Sequence, residues 1–153
     1  MQASASATNE SPRRLPLRLF RNWPRCTGCF LGAPVGESEE EVARFRDHQL
    51  LGHIAHDGVC AVVARDDKAV VGFAYGYPGQ RGRWWRERLA ANLPASVAAM
   101  WLGGHLEFVE LAVMGSRQSQ GIGGWLHDLL LEALPHRRAP LWTWTWDAPA
   151  RRL

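Results

Sequence analysis

No apolar run in this 153-residue sequence approaches the roughly 18 to 20 uninterrupted residues that a membrane span requires. Its opening stretch, MQASASATNESPRR, has no apolar segment behind a basic start, so nothing there reads as a secretory leader, and the expected location is cytoplasmic. Cysteine is scarce and odd in number: Cys26, Cys29 and Cys60 argue against a disulfide framework and fit thiols in a reducing compartment. Net charge is also small. The 18 basic and 15 acidic residues give +3, too weak a bias to indicate nucleic acid and equally suited to a small polyanionic ligand. Tyrosine is confined to Tyr75 and Tyr77. Against these shortages stand 46% hydrophobic and 22% charged residues, enough to close one core. Tryptophan is abundant at eight, four of them (Trp125, Trp142, Trp144 and Trp146) near the C-terminus, and core packing is the ordinary use of most.

Residues 1–14 are small, polar and aperiodic and read as a disordered lead, leaving 15–153 as a single domain. Leu15 to Phe20 alternates in the manner of a strand that Pro16 restricts to an edge, and the stretch from Asn22 to Glu37 reads as loop. Ser38 and Glu41 have capping-box spacing, and three consecutive glutamates suit the positive end of a helix dipole. Val42, Phe45, Gln49 and Leu50/Leu51 then predict a helix from about Glu39 to Leu51, ended by Gly52 or Gly58. Two β-branched runs around Asp66-Asp67-Lys68 predict an antiparallel hairpin from Val59 to Tyr77. One or two short helices broken by Pro94 follow, with Trp85, Leu89, Leu93, Val97 and Met100/Trp101 at helical spacing. His105 to Met114 reads as a strand. GIGGWLHDLLLEALPHR reads as a helix with Ile122, Leu126, Leu129/Leu130 and Ala133/Leu134 on one face, and PLWTWTW as a final alternating strand. The order of elements predicts a mixed α/β domain with a central sheet.

The most informative junction is SRQSQGIGGWL, where a strand feeds a helix through glycines. Such a junction aims unpaired helix-start N–H groups at the place an anion would occupy, and glycine keeps side chains out of the way. A phosphate loop needs Lys-Ser/Thr after its last glycine, but Trp125 follows Gly124. A dinucleotide fingerprint needs a third glycine where Leu126 stands. A third pattern does match. Gln118-Ser119-Gln120-Gly121-Ile122-Gly123, behind the strand end Leu111-Ala112-Val113, resembles the Q/R-x-x-G-x-G/A signature of the GNAT superfamily of acyl-CoA-dependent N-acyltransferases, over about Gly36 to Leu153.

The resemblance implies a mostly antiparallel central sheet flanked by helices. It implies acetyl-CoA as acyl donor, its pyrophosphate on Gln118, Ser119, Gln120, Gly121, Ile122, Gly123 and Gly124 and its pantetheine arm along Leu111, Ala112 and Val113. It also implies a primary amine, on a small molecule or a protein, as acceptor. Asp147 stands at the usual asparagine of an N-x-x-A-x-x-L/F-Y helix opening. The family's tyrosine acid would come immediately after Leu153, and the rest of that helix and two closing strands would lie beyond it. The chain therefore reads as an incomplete copy, divergent at its N-terminus, with an exposed apolar sheet edge and poor solubility expected.

Acetyl transfer needs a neutral amine, a polarised thioester carbonyl and a proton for the leaving thiolate. Glu107 and Glu110 are the candidate bases, Glu107 at the position where some members of that family carry one. In an unbulged strand they would face opposite sides. A backbone N–H near Ala112 or Val113 would polarise the carbonyl. The acid is unassigned, Tyr75 and Tyr77 being more naturally packing or cleft residues. Two other readings remain: a domain that at most binds CoA without turnover, and a binding module. The module would use Cys26 and Cys29 with His48, His53 or His56 on zinc, or the arginine-tryptophan stretch RGRWWRER. No metal site, nucleic acid or membrane is expected, and the sequence leaves the oligomeric state open.

Overall fold

The computed structural model describes residues 39–66 and 69–140. The first helical segment, α1 (Glu39–Arg44), passes into a π-helical turn (Phe45–Gln49) and then α2 (Leu50–Ile54). The helix thus runs through Gly52, where the sequence suggested an end. It stops at Ala55, before Gly58 takes a left-handed φ of 75°. The wide π turn explains the imperfect apolar stripe, because an extra residue per turn rotates everything after it. Leu50 is consequently buried and Leu51 exposed. Ser38 of the expected capping box lies outside the described residues, as do the Leu15 to Phe20 and PLWTWTW strands.

The hairpin forms as its β-branched runs predict. β1 (Cys60–Asp66) pairs antiparallel with β2 (Ala69–Pro78), which pairs antiparallel with β3 (Leu106–Val113), giving the order β1-β2-β3. The insert between β2 and β3 is two helices, α3 (Trp84–Asn92) and α4 (Ala95–Trp101), separated at Pro94. Neither buries a residue fully: Trp85, Leu89, Leu93 and Val97 of the helically spaced set are half-buried, whereas Met100 and Trp101, like Trp84, are exposed. After a 3₁₀ turn (Gly115–Arg117) comes α5 (Ile122–Glu132).

Two bulges shape the sheet. In β2 the register shifts so that Val71 is the extra residue opposite Ala64/Arg65. In β3 Tyr75 faces Glu110 while Gly76 faces Phe108, leaving Val109 as the extra residue. One sheet face packs Phe73, Tyr75 and Ala112 against Leu50, with Phe45 and Ile54 beside them. The other packs Ala64, Val71 and Ala74 against Leu126 and Leu130 of α5. The sheet is therefore the middle of three layers.

Leu126 is fully buried on the sheet. Leu126→Ala removes its buried methyl groups and leaves a cavity, at an expected cost of about 2–5 kcal/mol in urea unfolding. A change below 1 kcal/mol would mean that α5 is not docked as described.

Candidate active site

The layers leave a cleft of about 310 Å³ at the β2/β3 end of the sheet. Gln49 and His53 reach it from the π turn and α2, Tyr77 from β2, and Trp84 and Trp85 from the start of α3. Glu107, Phe108 and Val109 form the β3 wall. The expectation that Glu107 and Glu110 face opposite sides is corrected by the Val109 bulge. Tyr77 is in register with Glu107 and Tyr75 with Glu110, and cross-strand partners share a face. Since Tyr75 and Tyr77 are two residues apart, all four lie on one side of the sheet. Only Glu107 lines the cleft.

Glu107 is 2% exposed, and its Oε1 has no hydrogen-bond partner among the described residues. Its nearest neighbours are a phenol and an imidazole. The Tyr77 hydroxyl is raised to about 12, first by burial and then by the negative charge of Glu107, to which it also hydrogen-bonds. Tyr77 therefore stays protonated at neutral pH and acts as a donor towards the carboxylate. His105 Nε2 lies 3.7 Å from Glu107 Oε1, and the His105 ring is fully buried with neither nitrogen hydrogen-bonded among the described residues. Burial also lowers His53 below the usual histidine range, with the nearby His56 adding to the effect, so His53 is neutral at pH 7. Its Nδ1 lies 2.9 Å from the Tyr75 hydroxyl. His56 packs edge-on against Tyr77 at 4.6 Å between ring centres, and Arg83 lies over the Tyr77 ring.

The glycine junction has a distinct construction. Met114 N–H bonds to the Val71 carbonyl, so by alternation Ala112 faces β2 whereas Leu111 and Val113 point their backbone groups away from it. Gln118 donates its side-chain amide to the Val113 carbonyl at 3.1 Å, and Gln120 reaches the Ser116 carbonyl at 3.3 Å. The first signature glutamine thus folds the loop back onto the strand end. Arg117 pairs with Asp66 at the far end of β1, fixing the loop from the other side. Ser119 and Gly121 both take left-handed φ, 59° and 81°. Gly121 sits at the N-cap of α5, and a Cβ there would meet nothing within 4 Å, so its need for glycine is conformational rather than spatial. The N–H groups of Ile122, Gly123 and Gly124 begin the helix without intrahelical acceptors, and no acidic residue occupies its first turn. The exposed Ser119, Gln120 and Gly121 leave room there for an anion.

Asp147, Cys26 and Cys29 lie outside the described residues. His53 and His56 are engaged with the two tyrosines, and among the described residues no group of His, Cys, Asp and Glu is arranged to hold a metal ion. Of the arginine-tryptophan stretch, Trp84 and Trp85 line the cleft. His105 was not singled out from sequence. Its one signal is its place two residues before Glu107, which puts both on the same face of a strand.

The frame is thus three-layered, with a carboxylate-lined cleft along β3 and a glycine-opened helix start after the end of that strand. The chain matches the acetyltransferase (GNAT) family over residues 17–153 and belongs to it. It is 33% identical over 67 residues to a GCN5-like protein acetyltransferase of Mycobacterium tuberculosis, a match covering 40% of this chain and 32% of that protein. The matched region thus spans about a third of the length of that curated relative. Among solved structures it resembles the aminoglycoside N-acetyltransferase AAC(6′)-Iy, crystallised with a CoA bisubstrate analogue. The TM-score is 0.55 with 11% identity, over 88% of this chain and 80% of that one. It also resembles the BH1408 protein from Bacillus halodurans, with a TM-score of 0.51 and 15% identity over 94% and 82% of the two chains. These likenesses establish the fold.

Gly79 packs so closely on the buried His105 ring that any Cβ would collide with it. Gly79→Ala is expected to lower stability by about 1–3 kcal/mol in thermal or urea unfolding. Combining it with His105→Ser should cost less than the sum of the single changes, because the collision is then removed. Simple additivity would show that the ring is not what Gly79 accommodates.

Proposed function

We propose that this chain transfers an acetyl group from acetyl-CoA to a primary amine. The observation that carries this reading is a buried carboxylate, Glu107, with an unpartnered oxygen in a cleft on the strand that leads into the glycine-opened start of α5. When bound, acetyl-CoA supplies a thioester-activated acyl group. The pyrophosphate fits the N–H groups at the start of α5, with Gln118, Ser119, Gln120, Gly121, Ile122, Gly123 and Gly124 forming the cradle. Leu111 and Val113 offer the backbone groups that face away from β2, so they rather than Ala112 are suited to hold the pantetheine arm and the thioester carbonyl. Asp147 is proposed to contribute from the chain beyond the described residues.

Glu107 takes a proton from the acceptor ammonium, since an amine attacks only when its lone pair is free. Tyr77, held protonated, donates to the carboxylate and fixes its position. Glu110 is the less suited of the two carboxylates: it is in register with Tyr75 and does not line the cleft. Burial of Glu107 excludes water from the carboxylate and strengthens its pull on an incoming cation.

Isothermal titration of acetyl-CoA into the purified chain tests the cradle directly. Micromolar binding that disappears in Gly121→Glu, with an unchanged circular dichroism spectrum, is expected, because the new carboxylate would meet the pyrophosphate. Retained binding in that variant would move the cofactor elsewhere. Glu107→Gln should preserve acetyl-CoA affinity and lower kcat/KM by roughly 10²- to 10⁴-fold, the usual contribution of a positioned base. An unchanged rate would remove Glu107 from the reaction.

A further inference from the structure

We infer that the acceptor is a monoamine carried on an aromatic body, with Trp84 as the residue that selects it; this rests on the acetyl-transfer reading above. The cleft is lined by indoles and a phenol from opposite sides, Trp84 and Trp85 from α3 and Tyr77 from β2. Trp84 is 71% exposed. Exposing an indole to solvent costs hydration free energy, and one that lines a cleft is suited to stack on an apolar ligand. Glu107 is the one acidic side chain in the lining, and burial pushes the neighbouring His53 below the usual histidine range. A single carboxylate at the floor with aromatic walls above it matches one ammonium group attached to a ring.

Size and charge narrow the class further. At about 310 Å³ the cleft lies at the small end of ligand pockets, which run from roughly 300 to 1,000 Å³, and suits one ring system rather than an oligomer. The segment that carries the two tryptophans also carries Arg81, Arg83, Arg86 and Arg88 against the single acid Glu87. Arg83 lies over Tyr77 at 5.0 Å and Arg88 over Trp84 at 5.3 Å, which places positive charge at the cleft wall. A polycationic acceptor would bring its second and third ammonium groups against these guanidinium groups. An aromatic monoamine keeps its one charge at the floor and its neutral ring beside the arginines.

The reaction balances with the groups named. The acceptor ammonium gives one proton to Glu107 and forms the nitrogen–carbon bond to the acyl carbon. The carbon–sulfur bond breaks with its electron pair on sulfur, and the second proton lost from nitrogen ends on the product thiol. The proton on Glu107 returns to solvent.

The test uses the full chain with saturating acetyl-CoA and follows release of free thiol from 2-phenylethylamine, tryptamine, n-propylamine and spermine. The aromatic amines are expected to have kcat/KM at least about tenfold above the other two. Trp84→Ala should lower it for the aromatic amines by about five- to tenfold through KM, leaving kcat and acetyl-CoA affinity unchanged, and Trp84→Phe should restore most of the loss. Because Trp84 is exposed, both variants are expected to stay folded, and circular dichroism checks it. Preference for spermine or for a lysine peptide, with acetyl-CoA bound normally, would overturn the acceptor class while leaving acetyl transfer standing. If folded protein does not bind acetyl-CoA, the acetyl-transfer reading fails instead. Tryptamine titrated alone then decides the cleft: binding lost in Trp84→Ala supports the aromatic site, and absence of binding overturns it.

Discussion

One extra residue in β3, Val109, sets the geometry on which the cleft depends. A regular strand would send Glu107 and Glu110 to opposite faces and would keep every backbone group of β3 in step with β2. The bulge rotates the strand by one residue, so that both carboxylates fall on the face that already carries Tyr75 and Tyr77. Downstream of it, Leu111 and Val113 direct their backbone groups away from β2. That displacement brings Glu107 to the cleft, while ordinary strand alternation turns the backbone groups of Leu111 and Val113 outward.

The cleft's floor is costly. A carboxylate at 2% exposure with an orphaned oxygen loses most of its hydration, and the Tyr77 hydroxyl and the distant His105 imidazole compensate only in part. The fully apolar packing nearby carries that cost. Phe73 and Leu50 close one face under the tyrosines, and Leu126 and Leu130 hold α5 against the other. Placing an underpaired charge between two well-packed layers keeps it available to an incoming cation without loosening the frame.

The glycine junction is built with the opposite economy, on the surface and from backbone. Two left-handed positions, Ser119 and Gly121, turn the chain so that the first amides of α5 point outward. Such conformations persist only where surrounding contacts hold them. Here the Gln118 and Gln120 amides and the Arg117–Asp66 pair do so, tying the loop to β3, to the 3₁₀ turn and to β1. The glutamine that opens the signature serves the loop's shape, which its position in the motif alone did not reveal.

Local pattern determined the elements. The β-branched runs from Val59 to Tyr77, the apolar stripe of α5, the break at Pro94 and the glycines of the junction were readable because each depends on neighbours a few residues away. The family signature was legible for the same reason, since the anion cradle is one contiguous segment. The π turn inside the first helix, the solvent exposure of Met100 and Trp101, and the common face of Glu107 and Glu110 were not. Each depends on a register shift or on what another layer covers. A π turn or a bulge adds one residue to the repeat without marking the sequence, and that one residue reverses which side chains meet. Tertiary pairing therefore decided the site: Tyr77 comes to Glu107 across the strands and is held protonated beside it, and two tryptophans from an inserted helix line the same cleft.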